Sequence, residues 1–294
     1  MSRVSFIIPA YNSQNYIEKA VVSIFNGNFE EGDELIIVDD ASTDYTSKRI
    51  KDIQNKFSNI KYIRHQFNKG SAAASRNTAI DASSNNLIFA LDADNILEAN
   101  SIPVLKKYMS NLKADVAAFE GKFFFTECIQ NITERWYYKK PIIDLSYALS
   151  TRYWPGPSGN YMFTKESWIK AGRYNENVGG AIDSWAFGIK QLATGSKMVI
   201  LPDTYYYHKH GYESTYVRNE NADNLNIKGL NIITEIFDLI DPLDIEYIFS
   251  EWGRKRWLTN LEKRPIKVKQ SKRINLAKKS YHKTKLFFKD LIYT

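Results

Sequence analysis

A single cysteine, Cys128, in 294 residues rules out an intrachain disulfide and favours a reducing compartment. Nowhere is there a run of about 20 apolar residues, the length a membrane-crossing helix needs. The first residues lack the charged segment, long apolar segment and small-residue cleavage site of a secretory leader, so none is expected. Internal repeats and low-complexity linkers are also missing, which excludes solenoids and arrays. Acidic residues are scarce at one end only. From Glu251 to Thr294 there are 14 Lys/Arg against 3 Asp/Glu, an excess larger than the whole-chain net charge of +7. The body is therefore mildly acidic and the tail strongly basic. Charge confined to one end reads as an appended arm, and the acidic body argues against a nucleic-acid binder, whose affinity would depend steeply on salt.

What is present is a hydrophobic content of 44%, enough for a substantial core in one large domain or two small ones. The most informative stretch is Leu87 to Asn95, Leu-Ile-Phe-Ala-Leu-Asp-Ala-Asp-Asn. Its apolar run suits a buried strand of a parallel sheet. Ligands of open α/β sheets sit at the carboxyl ends of the strands, where Asp92 and Asp94 emerge. Two close carboxylates repel unless a cation or donor compensates, and a hard divalent ion bridging a diphosphate would do so. The structural alternative is an acidic turn that caps the next helix.

The segments before it alternate strand and helix. Val4 to Ile8 reads as a buried strand ended by Pro9, followed by a helix from a Ser13 cap to about Asn26, closed by Gly27. Glu34 to Asp44 reads as an apolar strand ending in Asp39 and Asp40, with Thr43 or Asp44 capping a helix that carries Ile50, Ile53 and Phe57. Ile60 to Arg64 is a third strand, Asn68 to Ser71 a loop, and Ala72 to Ala82 a small-residue helix containing Arg76. This order predicts an α/β fold with a parallel sheet and right-handed crossovers.

Three blocks, Ser-Phe-Ile-Ile-Pro-Ala-Tyr-Asn, Ile-Ile-Val-Asp-Asp-Ala-Ser-Thr-Asp and Leu-Asp-Ala-Asp-Asn, occur in that order, with Asn68-Lys-Gly and Ser75-Arg-Asn between the last two. Together they resemble the nucleotide-sugar-binding half of the family 2 inverting glycosyltransferases of bacterial polysaccharide and glycoconjugate synthesis. The resemblance implies a GT-A, Rossmann-like fold. It implies that Pro9, Tyr11, Asp40, Arg76 and Asp92 hold the nucleotide-sugar, and that Asp94 binds a divalent metal, Mn2+ or Mg2+. Asp40 would be the base contact, with Asp39 holding the surrounding loop. The plainer readings are core packing for Tyr11, helix capping for Asp39 and Asp40, and a solvated helix position for Arg76. Asn95 stands where many relatives have a third Asp, which lowers the charge of the site.

Beyond Asn95, a helix is expected over Leu97 to Leu112 and a strand over Asp115 to Lys122, continued by Phe123 to Phe125. Thr126 to Tyr153 reads as helix plus loop, and Tyr153 to Asn160 as a rigid aromatic and proline loop. Next come a strand at Tyr161-Met-Phe, a helix over Lys165 to Ala171 and a helix from Asp183 through Leu192. Asp183 matches the family's general base, with Ile182 replacing the expected Glu; a plain helix cap is the alternative. After a strand at Lys197 to Leu201, a histidine matches the family's additional metal ligand. His208 is preferred to His210, although a spacing of two points both the same way from a strand. A C-terminal helical extension should hold helices over Ile227 to Ile240 and Ile245 to Leu261, broken at Asp241-Pro, then a basic arm from Pro265. Its lysine-rich amphipathic stretch, Ile274 to Tyr293, suits an anionic membrane surface or a solvated capping helix.

The expected layout is a catalytic domain over 1–213, with a nucleotide-binding half at 1–95 and an acceptor half at 96–213, and the extension over 214–294. The expected activity is inverting transfer of a sugar, UDP-linked, to a hydroxyl of a glycan or lipid-linked acceptor at the cytoplasmic face of the membrane. The rivals are a polyprenyl-phosphate sugar transferase, which needs cations rather than a base near Asp183, and a non-catalytic sugar-nucleotide-binding protein.

Overall fold

The computed structural model describes residues 2–138, 140–150, 159–178, 182–210, 229–259 and 264–268. The predicted loop at 153–158, the glycines at 179–180 and the amphipathic stretch at 274–293 lie outside the described residues.

The N-terminal half is a parallel sheet. β1 (Val4–Ala10), β2 (Glu34–Asp39), β3 (Ile60–Arg64) and β4 (Leu87–Ala90) lie in the order β3-β2-β1-β4. Between them run α1 (Ile17–Phe25), α2 (Thr46–Gln54) and α3 (Ala72–Asp81). β1 is buried along its whole length because both its faces are covered. Phe6 and Ile8 pack with Ile17, Val21 and Ile24 of α1, while Ile7 packs with Ala73 and Ile80 of α3. A strand sandwiched in this way must be apolar at consecutive positions, which is the pattern its sequence shows.

The second half is mixed. It contains β5 (Ile96–Leu97), α4 (Ser101–Asn111), β6 (Val116–Phe125), β7 (Ile132–Tyr137), β8 (Ile142–Ile143), α5 (Leu145–Leu149), β9 (Tyr161–Thr164), α6 (Lys165–Lys170), α7 (Asp183–Ala193) and β10 (Met198–Lys209). β9 joins the halves by pairing antiparallel with both β4 and β6, and β6 runs parallel to β10. β7 pairs with β6, and β5 and β8 pair with β10. After the core strands come helices at 229–234, Pro242–Phe249 and Glu251–Thr259.

Several boundaries differ from expectation. β1 continues through Pro9 to Ala10. Ile7 and Pro9 face β4, and pairing with β4 stops at Ile7–Ala90, so the missing proline N–H interrupts no ladder. Ser13 contributes its carbonyl to Tyr16 and Ile17, not a side-chain cap, and α1 begins only at Ile17. α4 starts at Ser101 because Ile96 and Leu97 pair with Tyr207 and Tyr206 of β10. The region read as helix plus loop carries two strands, β7 and β8, besides the short α5. β10 runs past Leu201 to Lys209 through an irregularity between Leu201 and Tyr205. Asp241-Pro opens a helix instead of interrupting one: the Asp241 side chain accepts from Leu243 N, and proline fits the first helical turn. The break falls at Ser250. Ile266 is fully buried, and its carbonyl accepts from Ser146 Oγ of α5, so the first residues after Pro265 pack on the body.

Candidate active site

The carboxyl ends of β1, β2 and β4 form one edge. Tyr11 follows β1 directly and is 50% exposed. The loop after β1 is tied to the loop after β2: Asn12 N donates to Ser42 Oγ at 3.0 Å, and Thr43 N donates to Asn12 Oδ1 at 2.9 Å. Ala41, between Asp40 and Ser42, has φ +57, a strained conformation for an alanine of the kind that gathers at functional sites.

The paired carboxylates that end β2 have different tasks. Asp39, fully buried, accepts from Ser42 N (2.8 Å), Ser47 Oγ (2.6 Å), Tyr62 OH (3.0 Å) and Arg64 Nη1 (2.7 Å). Burial acts to raise its pKa, but these donors, led by Ser42 and Ser47, outweigh it and hold the carboxyl below its ordinary value. Asp39 therefore fixes the loop, as expected. Asp40 accepts from His65 Nδ1 at 2.6 Å and from Lys69 N at 3.0 Å on both oxygens. His65 Nε2 in turn lies 3.0 Å from Thr78 Oγ1 of α3.

α3 connects this end of the edge to the acidic cluster. Its Ala72-Ala-Ala-Ser start allows close approach to the sheet, so Arg76 is only 4% exposed. Arg76 Nη2 donates to Asp92 Oδ1 at 2.6 Å and Nη1 to Asp183 Oδ2 at 2.5 Å. Asp183 starts α7, and its other oxygen accepts from Ser184 N at 2.7 Å. One guanidinium thus compensates two carboxylates from segments 91 residues apart in sequence. Burial, and then Asp92, push Asp183 above the ordinary carboxylate value although Arg76 pulls the other way. The same two carboxylates keep Arg76 charged despite its burial. Ser75 Oγ and Arg76 Nε, both buried, find no hydrogen-bond partner among the described residues, and such groups call for water or a ligand.

Asp92 is held from two further directions. Its backbone N–H donates to Asn160 Oδ1 at 2.6 Å, and its Oδ2 accepts from Asn95 Nδ2 at 3.3 Å. Asn95 Nδ2 also lies 3.3 Å from His208 Nδ1, while Asn95 Oδ1 accepts from Lys209 N at 2.8 Å. A single buried amide therefore links the acidic turn to the end of β10. Burial, then the nearby Lys122, lowers His208 to about 3, which keeps the ring neutral. Burial, then Asp92, raises Asp94 to about 7. His210, two residues on, is exposed. Among the described residues no group of three or more His, Cys, Asp or Glu gathers as a ready-made metal site. The donor chemistry still suits a cation: a neutral imidazole, and a carboxyl whose ionisation is opposed by burial and by its neighbour.

A family model for glycosyl transferase family 2 matches residues 5–166. The chain belongs to glycosyl transferase family 2. It is similar to glycosyltransferase GlyA of Streptococcus pneumoniae, 30% identical over an alignment of 131 positions that covers 42% of this chain and 18% of GlyA. It is also similar to the Escherichia coli UDP-Glc:alpha-D-GlcNAc-diphosphoundecaprenol beta-1,3-glucosyltransferase WfgD, 33% identical over 120 residues, 41% of this chain and 45% of WfgD. The match therefore spans less than half the length of either relative. The fold is like that of Staphylococcus aureus TarS 1-349 solved with UDP-GlcNAc. The TM-score is 0.68 at 19% identity, over 87% of this chain and 72% of that one.

The family 2 match includes Pro9, Tyr11, Asp40, Arg76, Asp92 and Asp94 and stops short of Asp183 and His208. Arg76, Asp92 and Asp183 meet directly; Asp94 and His208 flank them through the Asp92–Asn95 turn. Asp40 and Tyr11 sit at the ends of β2 and β1, with β1 alone between β2 and β4, so Asp40 is about two strand spacings, ~10 Å, from the acidic turn. Ile182, in place of a second carboxylate, is buried in the core. Three residues escaped the sequence reading as site components: His65, Asn95 as a clamp, and Asn160. The Gly159-Asn160 step was a signal for the last.

Proposed function

We propose that the chain is an inverting glycosyltransferase that moves a sugar from a UDP-sugar to a hydroxyl of a glycan or lipid-linked acceptor in cell-surface polysaccharide synthesis. The observation that carries this is the Arg76 bridge, which brings Asp183 to the strand edge beside Asp92. Tyr11 stacks on the base, Asp40 accepts its imino hydrogen, Pro9 lines the same groove and Asp92 takes the ribose. Membership of the family and the UDP-sugar partners of the similar proteins support this assignment.

Asp94 and His208 are the residues that would hold a divalent metal, Mn2+ or Mg2+. When bound, such an ion stabilises the negative charge of a departing diphosphate. The chain's own residues do the rest. Arg76 holds Asp183 and Asp92 in register and gives up part of its fork as donor and acceptor arrive. Asp183, raised in pKa by burial, then takes a proton from the acceptor hydroxyl as that oxygen attacks the anomeric carbon. Asn160 and Asn95 keep the Asp92 turn in place.

Among the described residues no helix is long and apolar enough to cross a membrane. The basic residues after Val268 are proposed as a peripheral contact with the inner face of the membrane. Removing Lys269 to Thr294 should abolish binding to anionic liposomes, and unchanged binding would refute that part. The activity is tested with a panel of UDP-, GDP- and TDP-sugars plus manganese, read by hydrolysis and thermal shift. A UDP-selective response is expected; no response to any donor overturns the proposal.

A further inference from the structure

Asp40 is tied at every polar group. Its N–H donates to Ala10 O at 2.8 Å, and its carbonyl accepts from Asn68 Nδ2 at 3.1 Å. With the backbone held on both sides, the direction of the carboxylate is set by two donors from the segment after β3. His65 Nδ1 lies 2.6 Å from Oδ1, and Lys69 N donates to both oxygens at 3.0 Å. A carboxylate has about four acceptor directions. Among the described residues two are filled on Oδ1 and one on Oδ2, so the remaining direction is on Oδ2. The side chains of His65 and Asp40 are 10% and 7% exposed, so water competes little for the pair. Facing a carboxylate, Nδ1 carries the ring hydrogen, and in the neutral ring Nε2 is then an acceptor. Thr78 Oγ1 stands 3.0 Å from Nε2 and supplies the hydrogen that fixes this tautomer. Thr78 belongs to α3, two residues beyond Arg76. His65 therefore braces the carboxylate that ends β2 against the helix that carries the Arg76 fork.

We infer that His65, held by Thr78, is a positioning residue that sets the base specificity of the donor site. It occupies Oδ1 and turns the remaining acceptor direction of Asp40, on Oδ2, toward the ring N–H of a uracil. This rests on the UDP-sugar reading above, and His65 and Thr78 act only through Asp40. A single fixed acceptor separates the pyrimidines. Uracil carries a hydrogen on N3 and donates. Cytosine has a lone pair there, which would face the carboxylate, and its amino group reaches Oδ2 only if the base shifts in the groove. A site built to hydrogen-bond one partner rejects the analogue that leaves the bond unmade. Without the His65 hydrogen, Oδ1 gains an open direction and Lys69 N alone restrains rotation of the carboxylate. Uracil then binds less well, and cytosine is rejected less strictly.

The test is calorimetry of UDP and CDP, with manganese present, on the full chain as wild type, His65→Phe, His65→Asn and Thr78→Val. Wild type should prefer UDP by at least about tenfold. His65→Phe keeps a ring and drops both nitrogens. Its UDP affinity should fall about tenfold while CDP changes less than about threefold, so the preference narrows. His65→Asn returns an amide N–H near the lost Nδ1 and should bring UDP to within about threefold of wild type. In turnover of a UDP-sugar, the loss in His65→Phe should fall on KM and not on kcat. A merely structural His65 predicts the reverse order: phenylalanine fills the space better than asparagine, and UDP and CDP weaken together. Wild-type UDP binding by His65→Phe, parallel weakening of UDP and CDP, or no recovery in His65→Asn overturns the inference and leaves the UDP-sugar reading intact. Thr78→Val, which keeps the volume and removes the hydroxyl, decides the matter if His65→Phe does not fold: an unchanged preference for UDP overturns the inference, and a narrowed one supports it. If wild type itself does not prefer UDP to CDP, the UDP-sugar reading fails and the role of His65 fails with it.

Discussion

Replacing Arg76 with methionine removes the guanidinium shared by Asp92 and Asp183 while leaving a side chain of similar reach. Arg76 and Asp183 are both almost fully buried, so solvent does little to screen the loss. Breaking a buried ion pair by removing one partner costs about 3–5 kcal/mol, because the other charge stays desolvated. For a chain of this size that corresponds to a fall in Tm of about 6–20 °C. Arg76→Lys keeps the charge but not the fork, so one of its two charged hydrogen bonds goes, at about 1.5–3 kcal/mol. The predicted order of stability is wild type, then Arg76→Lys, then Arg76→Met, read by urea and thermal unfolding. The pH dependence has a definite sign. Asp183 is already raised by burial, and removing the cation that opposes this lifts its folded pKa further above the unfolded one, so the folded state binds a proton more readily. Arg76→Met should therefore regain stability as pH falls toward that raised Asp183 value. A double-mutant cycle with Asp183→Asn should give a coupling of at least about 1 kcal/mol. If Arg76→Met unfolds like wild type, or the cycle shows no coupling, the bridge does not hold the site together.

Further outcomes follow from the same geometry. Asp183→Asn should lower kcat about a hundred- to ten-thousand-fold, the range for loss of a general base, with UDP affinity unchanged in calorimetry. In wild type, kcat should decline as pH falls through the raised Asp183 value, at a higher pH than an ordinary carboxylate would give; a profile flat down to pH ~4 would refute the role. Asp39 has a folded pKa below its unfolded one, so its contribution is present above the unfolded value and is lost as pH falls through the folded one. Asp39→Asn should cost about 1.5–3 kcal/mol at pH 7, and the difference from wild type should shrink below about pH 4 in urea titrations. Asn95→Ala, by freeing both Asp92 and His208, should weaken manganese binding about 10–100-fold in calorimetry, the size expected for an outer-shell change.

The parallel half of the fold was legible because its strands are buried on both faces and so read as unbroken apolar runs between capped helices. Ile60 to Arg64 was placed with the observed bounds and the acidic turn was placed at a strand end, whereas Arg76 and Asp183 were named for the site only through the family resemblance. β7 was not legible. It pairs on one side only and alternates Thr133, Arg135 and Tyr137 with Glu134 and Trp136, which resembles neither a buried strand nor a helix. β5 and β8 are two residues each and exist because β10 offers an edge to pair with. Pro9 was misread as a terminator because the sequence does not show which neighbour its nitrogen faces. Asn95 and Asn160 have uncharged side chains whose importance depends on partners 113 and 68 positions away, and the Gly159-Asn160 step was the one local signal for either.

In the proposed reaction, acidic groups from distant segments serve one transfer centre with separable tasks. The most direct measurement compares wild type, Asp94→Asn and Asp183→Asn for manganese-dependent UDP binding and for turnover of the preferred UDP-sugar. The prediction is that Asp94→Asn loses the manganese dependence of binding, whereas Asp183→Asn binds UDP and manganese as wild type does and does not turn over. Wild-type turnover by Asp183→Asn, or identical binding defects in both variants, would contradict it.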